Sequence, residues 1–141
     1  MRIKIPIRII ELESENYHLI VEGKFEDGTT FNWIVDTGAS KSVLDSNLSD
    51  RYQQLDEKTG EIHSAGIGEH SLETSLGKVN SFFIGKLKIE TPKMAILDLS
   101  HVNTIYSKAT NLKIGGLIGG DFLKKYDAKI DYKKKVLELK K

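Results

Sequence analysis

The chain has 141 residues, with 21 lysines and arginines against 20 acidic side chains, a formal charge of +1, four histidines and no cysteine. That length makes one domain, residues 1–141, able to bury roughly two thirds of the surface its unfolded form exposes, and the near-neutral balance argues against counterion-release binding of nucleic acid. The missing cysteines exclude a disulfide frame and a thiolate nucleophile, and His18, His63, His70 and His101 lack metal-ligand spacing, so neither a metal nor another cofactor is expected.

No apolar stretch approaches the ~18 residues of a membrane span, and Met1-Arg2-Ile3-Lys4-Ile5 lacks the apolar centre of a secretory signal. The expected compartment is therefore the cytoplasm, with no membrane partner. Period-2 patterns bounded by Gly, Asn and Asp then run along the chain. Residues 3–12 are the first, with Pro6 demoting part of the run to an edge or interface strand. Its Ile3, Ile5, Ile7 and Ile9 suit either a core or an interface. Residues 17–25 and 29–35 are two further strands, joined by Glu26-Asp27-Gly28, whose Asp-Gly is a hairpin-turn signal. A short apolar segment at 42–48 precedes a polar helical turn over 49–55. Residues 61–64 and 69–76 flank Ala65-Gly66-Ile67-Gly68 as arms of a second hairpin, with His63 and His70 as solvent-facing strand residues. Residues 82–89 and 93–97 continue the meander through a turn at Gly85-Lys86.

Ser100 is the expected N-cap of a brief helix through about 108. Asn111 and Gly115-Gly116 end that excursion, and 121–125 start a second helix, with the Asp121 carboxylate favourable at the helix dipole. Residues 128–131 and 136–139 make a closing hairpin whose turn carries Lys133-Lys134-Lys135, a solvated charge run rather than a phosphate patch. One mostly antiparallel β domain with two or three short helices results.

The chemistry concentrates at Asp36-Thr37-Gly38-Ala39-Ser40, which follows the apolar run 31–35 and so sets a carboxylate on a tight turn leaving a buried strand. Gly38 allows the turn and can aim its N–H at a carboxylate oxygen. Peptide hydrolysis needs one group to take a proton from water and another to protonate the carbonyl oxygen, and a carboxylate beside a carboxylic acid does both. Two carboxyls ~3 Å apart share one proton. A chain with one such Asp supplies half of that pair, so the second comes from another copy, and a homodimer with Asp36 of each subunit on the two-fold axis is expected.

Together with Gly115-Gly116-Leu117-Ile118-Gly119-Gly120-Asp121-Phe122-Leu123 downstream and Gly66-Ile67-Gly68 between, this loop resembles the retropepsin-like aspartic proteases over residues 17–141. The resemblance implies a mainly β fold, a single-lobe closed barrel with a flap hairpin and one or two short helices. It implies Asp36, Thr37 and Gly38 as the catalytic loop, Thr37 reaching across the dyad to the partner backbone. Ala39, Ser40, Gly66, Ile67, Gly68, Leu117 and Ile118 are then substrate contacts, with Val35 and Leu97 as further pocket residues. Gly119 and Phe122 support the loop. The expected activity is cleavage of an extended, hydrophobic peptide or protein substrate paired against flap and floor strands.

Ala39 stands where two-lobed relatives carry a Ser that hydrogen-bonds the carboxylate. A pair without that hydroxyl holds its shared proton to higher pH. Ser40 and Gly120 replace an Asp and an Arg that pair in viral members, so one prop of the viral dimer is missing, and the closing hairpin matches cellular and bacterial members instead. Two alternatives remain: a peptide-binding or dimerisation module that does not cut, and an unrelated β protein with a chance Asp-Thr-Gly. Asp121 is a helix-start residue rather than a catalyst.

Overall fold

The computed structural model describes residues 1–58 and 75–141. The expected hairpin tip Gly66-Ile67-Gly68, with His63, His70 and most of the arms, lies outside the described residues.

The first apolar run divides into β1 (Arg2–Pro6) and β2 (Arg8–Glu13), because the chain changes sheets at Ile7, whose N–H donates to the Lys135 carbonyl at 2.9 Å. β1 lies in a three-stranded sheet, paired with β13 (Val136–Lys140), which pairs on its other side with β12 (Lys129–Asp131). Pro6, lacking an N–H, thus sits on an edge strand where that loss is tolerated.

The second sheet is larger. Its strands are β3 (Asn16–Phe25), β4 (Thr30–Val35), β5 (Val43–Asp45), β6 (Tyr52–Lys58), β7 (Ser75–Val79), β8 (Phe82–Ile84), β9 (Leu87–Ile89), β10 (Lys93–Leu97) and β11 (Ile114–Ile118). Their order is β6-β7-β10-β5-β11-β4-β3-β8-β9, with β2 also on β3. The sheet curls into a half-barrel. Strand β3 is long enough to carry β2 along its first half and β8 at Lys24 and Phe25. The Asp-Gly turn forms as expected, Gly28 taking φ +92° where a side chain would be strained.

The polar turn after β5 shrinks to a 3-10 turn at Ser49–Arg51, since Tyr52 is already drawn into β6 by pairing with Val79. Arg51 clasps the neighbouring hairpin, Nη1 donating to Asp27 Oδ2 at 2.8 Å and Nη2 to Thr29 Oγ1 at 3.0 Å. Bonds from the Thr29 N–H and then from Arg51 lower the Asp27 pKa to about 2.

Helix α1 (Ser100–Ala109) appears where expected, but Ser100 is its first residue rather than its cap. The N-cap position falls to Leu99, which makes no side-chain cap bond, while Asp98 Oδ1 accepts the Ser100 N–H at 2.9 Å. Helix α2 is Gly120–Lys125, with Asp121 in its first turn. The exposed lysines 133–135 form the turn between β12 and β13, Lys135 at φ +55°. No described helix is long and apolar enough to cross a membrane.

Ile3, Ile5 and Ile7 are buried with Phe25, Phe31, Trp33, Val35, Phe82, Leu137 and Leu139 in one core, so their face is core rather than interface. Ile20, Ile34, Val43, Ala95, Leu99, Tyr106 and Ile114 make a second core under α1. Strand β4 alternates between the two, Phe31, Trp33 and Val35 on one side and Ile34 on the other, as a strand covered on both faces must.

Gly116, in the middle of β11, has no room for a side chain: a Cβ there would lie 2.3 Å from Trp33 Cζ3 and 2.4 Å from the Val43 carbonyl oxygen. Gly116→Ala is expected to cost about 1–3 kcal/mol through displaced neighbours, measured as a lower urea midpoint with little change in slope.

Candidate active site

Strand β4 delivers Asp36 at its end, and the chain turns at once: Ala39 N–H donates to the Asp36 carbonyl at 3.2 Å, and Gly38 N–H to Asp36 Oδ1 at 3.0 Å. What holds this turn is β11. It runs parallel to β4 and antiparallel to β5, so the two strands on either side of the Asp36 loop grip the same partner. Ile118 pairs with Val35 and Leu117 with Ile34, and the Asp36 N–H donates to the Ile118 carbonyl at 2.8 Å.

The chain then passes directly behind the loop. Gly119 approaches so closely that a Cβ would fall 2.7 Å from the Ala39 carbonyl oxygen and 2.8 Å from that of Lys41. Beyond it, Gly120 N–H donates to Ala39 O at 2.7 Å and Asp121 N–H to Ser40 O at 3.2 Å. A side-chain clasp completes the attachment. Ser42, buried to 3% exposure, accepts the Gly119 N–H on Oγ at 3.0 Å and donates that hydroxyl to Asp121 Oδ1 at 2.7 Å. The same carboxylate oxygen accepts the backbone N–H of Ser42 at 2.9 Å and of Phe122 at 2.8 Å.

Asp36, half-buried, opens onto a cleft of about 560 Å³. Ile34, Val35 and Leu117 lie along it with Thr37, while Leu12, Tyr17, His18 and Leu19 contribute from β2 and β3. Val102, Ile105 and Tyr106 come from α1, and Ile130 and Tyr132 from the closing hairpin. Asp36 and His18 are the charged or titratable groups among otherwise apolar, aromatic and hydroxyl walls, apart from the tyrosines. Tyr106 is 1% exposed, packs edge-on against His18 at 5.8 Å, and its hydroxyl has no hydrogen-bond partner among the described residues. Burial raises its pKa to about 12, so the phenol stays neutral.

Of the residues singled out from sequence, Asp36, Thr37, Val35 and Leu117 line this cleft, with Gly38 bonded to the carboxylate. Ala39 (4% exposed) and Ile118 (1% exposed) face the interior of the single chain. Ser40 is exposed and offers its carbonyl to α2. Gly119 and Phe122 stand behind the loop, Phe122 packed against the first core, and Leu97 packs under α1. Gly66, Ile67 and Gly68 lie outside the described residues. Sequence inspection missed Ser42 as a clasp, because its partner is 79 positions away. It also missed the α1 wall, although Val102, Ile105 and Tyr106 carry the i, i+3, i+4 spacing of a helix face.

The family profile described as aspartyl protease matches residues 21–122. The chain belongs to the aspartyl protease family. Within that family it is retropepsin-like: it is 30% identical over 119 residues to the retrovirus-related Pol polyprotein from transposon 412 of Drosophila melanogaster. That match covers 82% of the chain, which spans only 9% of the polyprotein. In fold it is similar to the crystal structure of a retropepsin-like aspartic protease from Rickettsia conorii, with a TM-score of 0.52 and 20% identity, over 99% of this chain and 90% of that one.

The Ser42 clasp of this aspartyl protease-family chain is open to direct test. Ser42→Ala strands the buried Gly119 N–H and removes one of the three donors to Asp121 Oδ1, an expected loss of about 1–3 kcal/mol in urea unfolding. Ser42→Thr, which keeps the hydroxyl, is expected to recover most of it.

Proposed function

We propose that this chain is an aspartic endopeptidase that works as a homodimer, its catalytic unit being Asp36 from each subunit. The observation that carries the proposal is a half-buried carboxylate at the mouth of an apolar cleft, its loop held from behind by backbone bonds and by the Ser42–Asp121 clasp. Such a carboxylate is positioned, and no ion pair among the described residues neutralises it.

In the dimer the ionised Asp36 takes a proton from water while the protonated one gives its proton to the substrate carbonyl oxygen. The water oxygen bonds to the carbonyl carbon and a tetrahedral diol forms. Its collapse breaks the C–N bond, the amine leaving with a proton returned from the pair and the other product ending as a carboxylic acid. Pairing of the two carboxyls thus supplies acid and base together, which neither supplies alone.

Substrate is an extended peptide with hydrophobic side chains flanking the cut, entering the cleft beside Leu117, Ile34 and the α1 wall. Gly66-Ile67-Gly68 form the flap that closes over it and completes the barrel. Their place between β6 and β7, whose ends Lys58 and Ser75 pair in antiparallel register, supports that role. Thr37 bridges to the partner loop.

Wild type and Asp36→Asn, incubated with a peptide library and read by mass spectrometry, test the proposal. The expected result is cleavage by wild type only, suppressed by a pepstatin-type inhibitor, with unfolding of both proteins alike; peptide binding without cleavage by wild type would leave a capture module instead. The pH profile is a separate expectation. Activity needs one proton on the pair, so it falls on the acid side when both carboxyls are protonated and on the alkaline side when both ionise. The expected profile of kcat/KM against pH is therefore bell-shaped.

A further inference from the structure

We propose that Tyr106 and His18 make the inner wall of the Asp36 cleft a site for a primary carboxamide, so that the substrate carries a glutamine side chain at one position flanking the cut. The inference rests on the protease reading and narrows its substrate: one of the flanking side chains is apolar along its stem and polar at its tip.

The donor is a phenol with nothing to bond. Tyr106 lies on the cleft face of α1 with Val102 and Ile105, and depth increases along that face, from Ile105 at 43% exposure to Tyr106 at 1%. The Tyr106 hydroxyl has no hydrogen-bond partner among the described residues. A buried hydroxyl left unpaired is costly, and a ligand that brings an acceptor removes the cost. Burial raises the phenol pKa to about 12, so the group stays neutral and keeps its O–H.

The helix that carries it is pinned to the catalytic loop's own support. One turn before Tyr106, Asn103 accepts the Ile114 N–H on Oδ1 at 2.7 Å and donates from Nδ2 to the Ile114 carbonyl at 3.0 Å. Ile114 begins β11, the strand that runs on behind Asp36. Phenol and carboxylate are thus referred to one strand, and a donor held in place before the ligand arrives binds it at lower entropic cost.

Strand β3 supplies the second group. The His18 ring meets Tyr106 edge-on with centres 5.8 Å apart and makes no hydrogen bond among the described residues. A neutral imidazole has one bare nitrogen that accepts. A carboxamide matches the pair, its oxygen accepting from the Tyr106 hydroxyl and its NH2 donating to the imidazole. Competing side chains match less well. Leucine or methionine leaves the phenol unpaired. A glutamate carboxylate would be desolvated where no lysine or arginine lines the cleft and where Asp36 already contributes negative charge. Glutamine outranks asparagine by reach, since its extra methylene passes the apolar rim of Val102 and Ile105.

Capture and cleavage test the site separately. A degenerate peptide library at about pH 7 is incubated with Asp36→Asn, to read retained peptides, and with wild type, to read cut ones, both by mass spectrometry and both with and without Tyr106→Phe. Glutamine is expected to be enriched at one position in each pool, ahead of glutamate and leucine. Tyr106→Phe removes only the hydroxyl and is expected to lower the glutamine-over-leucine ratio about tenfold in both; His18→Phe, which keeps a ring and removes its nitrogens, is expected to lower it too. Because the hydroxyl has no partner to lose, Tyr106→Phe is expected to hold the urea midpoint at or above that of wild type. No glutamine enrichment in either pool, an enrichment that survives Tyr106→Phe, or a midpoint that falls with that substitution overturns the carboxamide site. Cleavage without glutamine preference sinks this inference alone, whereas glutamine-dependent capture without cleavage sinks the protease proposal alone.

Discussion

The 2.8 Å bond from the Asp36 N–H to the Ile118 carbonyl is the visible end of a constraint on which the whole site depends: β11 is threaded between β4 and β5. Because one strand pairs with both the segment entering the loop and the segment leaving it, the loop cannot shift without breaking two ladders. Glycine makes the threading achievable. Gly116 slides over the Trp33 ring and Gly119 over the carbonyls of Ala39 and Lys41 at distances no side chain tolerates. A carboxylate so placed keeps its geometry through packing and backbone bonds, and no ion pair commits its charge among the described residues.

Two acidic residues near one another have opposite fates for physical reasons. The Asp121 carboxylate is occupied by two N–H donors and one hydroxyl, which fixes it as a fastener between the loop and α2. Asp36, among the described residues, has a single N–H on one oxygen and a cleft in front. The clasp also answers an apparent deficit. Ser40 and Gly120 offer no ion pair between loop and helix, yet their backbone groups and the Ser42–Asp121 contact join the same two elements.

The strand pattern was legible wherever alternation and turn chemistry were local. The Asp27-Gly28 and Gly85-Lys86 turns, the closing hairpin and the α2 start all appear within a residue or two of their expected limits. The break at Ile7 was not, since period-2 patterning is identical on either side of a strand that changes sheets. The helical turn after β5 failed for a related reason: pairing of Tyr52 with Val79 outweighs weak local preference. Ser100 became the first helical residue rather than the cap, its N–H taken by Asp98 two residues earlier, a local arrangement that composition does not rank.

By itself, the amino-acid order determined the chemistry on offer: one Asp-Thr-Gly after an apolar strand, a glycine-rich stretch able to pass close behind it, and the alternating strands of a mainly β domain. Those are local properties, written in residue type and spacing. Tertiary structure alone decided that Ile3, Ile5 and Ile7 face the core, that Ser42 finds Asp121, and that α1 walls the cleft. Each of these joins segments far apart in the chain, and such contacts depend on how strands are ordered in space, which hydrophobic periodicity does not encode.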